Sequence, residues 1–456
     1  MSEPERPYRR LSPLTPLVRG FILVVALLAS TWDDVLGGGN IGPLGWLLLA
    51  MLVVGAVYGF ASWLRTKYWI EADELRVDTG VVSRQSRRIR VDRLQGIDIS
   101  QPFVARLFGL AELKMDVAGG HSREGSLAFL PLREAEELRA ALLSRRDAVR
   151  ANAAGEAEAA GAGPAGGVPA PPPPPAPERT VATLDPRTLV VSLLLSPESF
   201  AFVVAALFFG TLFAVLGDLG GVAVVPVLIG FALTQLRRLS AYYGFTVSET
   251  PAGLQVRRGL FERDAQTITL ARVQGVVVSE PFLWRRFGWA KLDVALAGYS
   301  SSSDADGRPS ASTVMPVAPR PLVIALARRL LAEAGSPDPD DVGLTPPPAR
   351  SRWVAPVRRR FLSSGAGDGL VVSREGMLTR RTHVVPHARV QSLQLRQGPW
   401  QRRFGLADLQ VDSPPGPVRV RARHRDAREA RALLQRENDV ARRARAARSP
   451  GPGLTG

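Results

Sequence analysis

Four histidines are the first residues to test for chemistry: His121, His383, His387 and His424. His383 and His387 are four apart, a spacing that on a helix sets two imidazoles on one face and lets them share a metal ion. Pro386 stands between them and the stretch reads as a strand, where that spacing makes no such pair. No metal and no other cofactor is expected. Gly37-Gly-Gly-Asn-Ile-Gly42 imitates a nucleotide loop, but no strand–helix frame surrounds it. Cysteine is absent, which removes thiolate nucleophiles, thiolate ligands and disulfides. No nucleophile elbow, Walker sequence or carboxylate pair stands out, so the chain reads as non-enzymatic.

What remains is arginine. Arg84, Arg87, Arg88 and Arg90 form a basic run, a candidate surface for anionic lipid headgroups or a protein partner. Between Arg350 and Arg448 there are 23 arginines and 8 acidic residues, a local excess of +15 in a chain of net charge +16. Such a patch can meet anionic lipid, nucleic acid or an acidic partner. From Asp426 to Arg448 no aromatic is interleaved with the arginines, so base stacking is not expected and no nucleic-acid partner is assigned.

The elements that must position these residues occur three times. Arg93, Gln95, Arg106, Phe108 and Gly109 recur as Arg272, Gln274, Arg285, Phe287 and Gly288. They recur again, without a gap, as Arg389, Gln391, Arg402, Phe404 and Gly405. Gly80, Gly259 and Gly376 each lie 15 residues before the shared Gln, and Arg84, Arg263 and Arg380 each lie 11 before it. So many identities at fixed offsets define an internal repeat. Each copy reads as short strands followed by a helix, such as Glu134 to Arg145 with Leu138, Leu142 and Leu143 on one face. Phe108, Phe287 and Phe404 are expected to be aromatic core anchors. The Gly after each is expected to permit a left-handed turn. Arg93 and Gln95, and their counterparts, share one strand face and are expected to hydrogen-bond the turn and hold the module together. The positions matching Arg87, Arg88 and Arg90 are Gln266, Thr267 and Thr269, then His383, Val384 and Pro386. A headgroup site of this kind therefore belongs to the first copy alone.

Four apolar stretches, roughly 17–36, 44–64, 199–217 and 220–236, are candidate membrane spans. They come as two hairpins whose tight turns hold no Lys or Arg. The opposite flanks hold Arg6, Arg9, Arg10, Arg19, Arg65, Lys67, Arg179, Arg187, Arg237 and Arg238. The positive-inside rule then puts the termini and modules in the cytoplasm and both hairpin turns outside a multi-pass plasma-membrane protein. The reading along the chain is a tail at 1–16, a membrane hairpin at 17–64 and a module at 65–146. A Pro/Gly/Ala-rich linker at 147–186, a second hairpin at 187–238 and a module at 239–334 follow. A Pro-rich linker at 335–352, a third module at 353–448 ending in an Arg-rich helix, and a disordered tail at 449–456 complete it.

The R-[LV]-Q-x(10)-R-x-F-G-x-A-x-L pattern with its preceding Gly, in triplicate beside paired apolar helices, resembles bacterial pleckstrin-homology-like membrane proteins of the YdbS/YdbT type. The resemblance covers most of the chain outside the linkers. It implies a mixed α and β membrane protein: two transmembrane hairpins and three PH-like modules, each an orthogonal β-sandwich or partly open barrel capped by a C-terminal helix. It brings no catalytic residues. The expected role is a scaffold that holds a protein partner or self-associates at the inner membrane face. The alternative is binding or handling of anionic lipid.

Overall fold

The computed structural model describes residues 9–10, 12, 43–71, 74–79, 85–117, 126–159, 179–216, 221–250, 253–297, 312–332, 342–367, 369–412 and 416–446. The chain divides into two units, residues 1–174 with 261–266, and residues 175–260 with 267–456.

In the first unit, helix α1 (Pro43–Arg65) leads into an antiparallel sheet of β1 (Lys67–Glu71), β2 (Glu74–Thr79) and β3 (Gln85–Arg90). Arg9 and Arg10 pair with Tyr68 and Lys67 on the far side of β1. A turn of 3-10 helix, Val91–Arg93, passes the chain to a second sheet. That sheet holds β4 (Leu94–Gln101), β5 (Leu110–Val117) and β6 (Ser126–Pro131), with the single-turn helix α2 (Phe103–Leu107) between β4 and β5. Helix α3 (Leu132–Ala159) closes the module. Ala135, Leu138 and Leu142 fall on one face of α3 and pack on Leu94, Ile97, Leu113 and Leu127. The Tyr68 hydroxyl donates to the Glu134 carboxylate at 2.7 Å and ties α3 to the first sheet. Residues 261–266 lie against the outer edge of β4, with Arg263 opposite Gln101 and Ala265 opposite Ile99.

The second unit begins with β7 (Arg179–Thr183) and helix α4 (Pro186–Leu194), whose cap Asp185 accepts from the Thr188 N–H. Helices α5 (Pro197–Leu216) and α6 (Gly221–Tyr242) follow, with Phe202 stacked on Phe231 at 3.8 Å between ring centroids. Strands β8 (Thr246–Thr250), β9 (Gly253–Arg258) and β10 (Arg263–Ile268) complete the first half of the second repeat. β11 (Val273–Pro281), α7 (Phe282–Arg286), β12 (Trp289–Leu296), β13 (Thr313–Pro319) and α8 (Arg320–Ala332) form its second half. The third repeat supplies β14 (Ser363–Ala366), β15 (Leu370–Glu375), β16 (Thr379–Pro386), β17 (Ser392–Arg396), α9 (Pro399–Arg403), β18 (Leu406–Asp412), β19 (Val420–Asp426) and α10 (Ala427–Ala446).

The repeats do not stand apart. β13, β12, β11, β16, β15 and β14 make one six-stranded sheet in that order, so the third repeat completes the sheet of the second. β11 and β16 pair from Val276 opposite Val384 to Pro281 opposite Thr379. Aligned on the shared Gln, Gln101 and Arg263 correspond to Glu280 and Arg380, which are also opposite one another. The two pairings therefore have the same register. In the second, the buried Glu280 carboxylate accepts from Arg380 at 2.6 Å and meets Arg320 at 3.2 Å. Arg263 and Arg380, each 11 residues before the shared Gln, thus stand at equivalent strand pairings.

The chain before and after the pair α5 and α6 is also paired. β7 precedes α5 and α6, β8 follows them, and Ala182 lies opposite Val247. In the third repeat Thr345 bridges Ser364 at the matching place. Two short 3-10 turns, Ala349–Trp353 and Arg358–Phe361, fill the interval instead of a helical hairpin.

The observed elements cross some of the expected bounds. Helix α3 runs to Ala159 in what reads as linker, because its Ala/Glu-rich end favours helix. Part of the same linker range forms β7. The span expected at 17–36 lies outside the described residues, while those at 44–64, 199–217 and 220–236 fall largely on α1, α5 and α6. Yet among the described residues no single helix is long and apolar enough to cross a membrane. The pair Pro186–Leu194 and Pro197–Thr211, bent by 42° at its break, passes that test only together.

Replacing Glu280 by Ala leaves Arg380 and Arg320 without their shared carboxylate. The second unit should lose about 2 kcal/mol, less than the roughly 3–5 of a fully buried pair because both arginines can turn to water. Glu280→Gln should cost less, since Gln is what repeats one and three carry there. Thermal unfolding of the full chain in detergent measures both.

Candidate functional site

The second unit contains a cavity of about 580 Å³ bounded by α4, the ends of α5 and α6, the six-stranded sheet and the lead into β19. The sheet register builds its floor. Lys291, Ser279, Arg381 and Glu375 lie side by side on four adjacent strands, and Asp293, Val277, His383 and Ser373 form the next row. Arg419, Arg421 and Arg423 alternate along the segment that crosses this floor, so all three line the same cavity. Its backbone is fastened there: the Arg419 N–H donates to Nδ1 of His383 at 3.1 Å, and the Arg421 N–H to the Ser373 hydroxyl at 3.2 Å. Glu198 and Arg238, 3.4 Å apart, close the side nearest the apolar helices.

The electrostatics are one-sided. Arg238, Lys291, Arg381, Arg419, Arg421 and Arg423 face Glu198, Asp293 and Glu375. Arg423 meets Glu375 at 3.3 Å and Lys291 meets Asp293 at 3.1 Å. Among the described residues, Arg381, Arg419 and Arg421 have no carboxylate partner. Buried Nε atoms of Arg421 and Arg423, and Nε2 of His383, have no hydrogen-bond partner. Burial pushes the His383 imidazole down to about 4; Glu375 opposes this, while Arg381, Arg419 and Arg421 add to it. His383 is therefore neutral at pH 7, with Nδ1 as an acceptor. Burial also lowers the Arg423 guanidinium, against Glu375. Three guanidinium groups without carboxylates, around a neutral imidazole, make a receptor for an anion with several oxygens.

The residues singled out in the sequence fall elsewhere. Gly80, Arg84, His121 and 37–42 lie outside the described residues, as does the side chain of Gln95. Arg87, Arg88 and Arg90 lie on β3, where alternation sends Arg87 to one face and the other two to the opposite face. Arg90 is paired with Asp92 at 2.9 Å. Arg87 therefore lies on the face opposite to Arg88 and Arg90. Arg272 donates to the Ala297 carbonyl and Gln274 to the Arg272 carbonyl, within one module. Arg389 instead reaches the Ala271 carbonyl of the preceding repeat, and Arg285 reaches the Met377 carbonyl of the next. Arg93 and Arg402 are exposed, and the Gln391 N–H donates to the Asp412 carbonyl. Phe108 and Phe287 are not core anchors: they are 43% and 54% exposed, and Phe404 is only half-buried. Each ends a single-turn helix, and the glycine that follows, at φ of +67°, +65° and +62°, turns the next strand inward without the ring. Gly259 and Gly376 share φ of +105°, and a Cβ on Gly376 would meet the Thr379 carbonyl oxygen. His387 makes a buried 2.8 Å ion pair with Glu437 of α10 and contacts the Gly367 carbonyl, so it holds the last helix in place.

The cavity was not foreseen. Its signal is the alternation Arg419-Val-Arg421-Ala-Arg423, a strand pattern with every charge on one face.

Three paired-sheet repeats with helical caps define a chain of PH-like modules. Residues 21–146, 199–334 and 350–439 match the bacterial PH domain family, and the chain belongs to that family. It is similar to the UPF0699 transmembrane protein YdbT of Bacillus subtilis (strain 168), at 24% identity over 275 residues, 58% of this chain and 54% of that protein. The chain thus spans about half the length of this curated relative. No solved structure matches it.

His383 gives a pH test. Its folded pKa of about 4 lies below the ordinary 6.5. Below about pH 6.5 the unfolded chain binds a proton that the folded one refuses, so its contribution is full above that pH and is lost as pH falls toward 4. The effect reaches at most ~2 kcal/mol at pH 5. His383→Gln should therefore melt with a flatter dependence between pH 7 and pH 5 than the native chain.

Proposed function

We propose that this chain is a membrane-tethered scaffold whose PH-like modules, on the cytoplasmic side, hold a protein partner or a second copy. The observation that carries the reading is the edge of β17. β17 is the third repeat's counterpart of β4 and β11, which both take a further strand on that edge. β17 is the outermost strand of the sheet β17, β18, β19, and its residues alternate between exposed and half-buried. The same edge that joins repeats is left open to an extended segment from outside. No group of three or more His, Asp or Glu among the described residues could hold a metal, and binding is the chemistry we assign.

Membrane attachment rests on three supports. Large apolar side chains are exposed along α1, α5 and α6, among them Met51, Val54, Phe208 and Leu233. The similar protein carries the word transmembrane in its name. Finally, Arg9–Arg10 with β1, and β7 with β8, bring the chain back beside its starting point around each apolar hairpin, as four spans with external turns require. In the third repeat, exposed Trp353 and Val357 occupy the hairpin's place beside Arg352, Arg358, Arg359 and Arg360. We read this as a surface contact with the same leaflet.

Because the chain has no cysteine, single cysteines report both points. Asp218→Cys should react with an impermeant maleimide added outside intact cells, and Ser144→Cys only after lysis; the reverse would refute the topology. A photo-crosslinker at Gln394, on β17, should capture a discrete stoichiometric adduct in native membranes. An uncaptured monomer throughout would remove the scaffold reading. A second reading, general attraction of the Arg-rich modules to an anionic leaflet at about 1 kcal/mol per basic residue near the surface, predicts binding that salt abolishes.

A further inference from the structure

We infer that the arginine-lined cavity of the second unit is a specific site for a phosphate group, taken either from a phospholipid at the base of the apolar hairpin or from a soluble phosphate compound. This goes beyond the scaffold reading; the phosphate site stands without it, and only its lipid source rests on the membrane attachment proposed there.

Four features of the site support the assignment. Arg381 and Arg419 are exposed at its mouth, while His383 is buried in its floor with Nε2 unpartnered. A neutral imidazole with Nδ1 already accepting carries its proton on Nε2, a buried donor without a hydrogen-bond partner and 3.9 Å from a Glu375 carboxylate oxygen. Among the described residues Arg381, Arg419 and Arg421 form no ion pair with a carboxylate, and Arg fits tetrahedral oxyanions through paired N–H groups. A purely structural cluster would be expected to match its charges, as Arg238 with Glu198 and Arg423 with Glu375 do. A volume of about 580 Å³ holds a headgroup-sized molecule.

Position favours a lipid source. Glu198 lies in the first turn of α5 and Arg238 in the last turns of α6, so the cavity adjoins the ends of the two apolar helices, where a headgroup layer would lie. A free phosphate compound would use the same guanidinium groups, and the test separates the two.

Ser279 lies on the floor between Lys291 and Arg381. The full chain with Ser279→Cys, in detergent, is labelled with a small maleimide in the presence of short-chain phosphatidylglycerol, short-chain phosphatidylcholine, glycerol 3-phosphate or inorganic phosphate. Protection by phosphatidylglycerol at more than tenfold lower concentration than phosphatidylcholine supports a lipid site. Protection by glycerol 3-phosphate or inorganic phosphate as well supports the soluble source. Adding Arg381→Gln and Arg421→Gln should raise the protecting concentration more than tenfold, whereas Arg87→Gln with Arg88→Gln on β3 should not move it. No protection by any of the four, equal protection by both lipids without any by the soluble phosphates, or protection indifferent to Arg381→Gln and Arg421→Gln, would overturn the assignment. The Gln394 crosslinking result is independent of all these outcomes, so loss of one reading leaves the other standing.

Discussion

Strand β16 belongs to the third repeat by sequence and to the sheet of the second by hydrogen bonding, and the rest of the second unit depends on that pairing. A three-stranded half-sheet leaves an unsatisfied edge. β11 and β16 cover each other's edge over six residue pairs. Side chains then alternate between two cores. Val276, Val278 and Val384 pack with the second repeat, while Val277, Val385 and Val371 pack with Val390, Val411 and Val420 of the third. One strand thus serves two modules, which is why β11 is buried almost throughout.

The same alternation makes the cavity. Arg381 and His383 alternate with Arg380, Thr382 and Val384 along β16, and the register sets them beside Ser279 and Val277. Three arginines on the segment before and within β19 then line the same cavity, Arg419 exposed and Arg421 and Arg423 half-buried. Charge that looks like a solvated surface in the sequence is concentrated here by a sheet that no single repeat could form. The price is a buried histidine held neutral and guanidinium nitrogens without partners.

The sequence is most readable where the physics is local. Gly109, Gly288 and Gly405 take the left-handed turn that their recurrence predicts, and the strand–turn–helix order of each module follows from hydrophobic period and turn residues. It misleads where a residue type suggests burial but its neighbours decide. Phe108 and Phe287 look like core aromatics, yet the helix they end has its inward position filled by Ala105 and Trp284. The repeated arginines look like module-internal fasteners, but Arg285, Arg380 and Arg389 act across repeats. Contacts between repeats leave no periodic trace within one repeat, so neither those roles nor the cavity could be read without the register.

One difference between the repeats decides which strand face can join an apolar core. Val384 of β16 is apolar and packs into the preceding repeat's core. The corresponding residue of β3 is Arg88, exposed beside exposed Ser86 and Arg90. Burying that charge against an apolar core would cost more than the strand pairing returns. β3 thus carries a charged face at the position where β16 carries an apolar one. Two strands of one repeated origin are thus sorted by a single position, one to a charged surface and the other to a shared core.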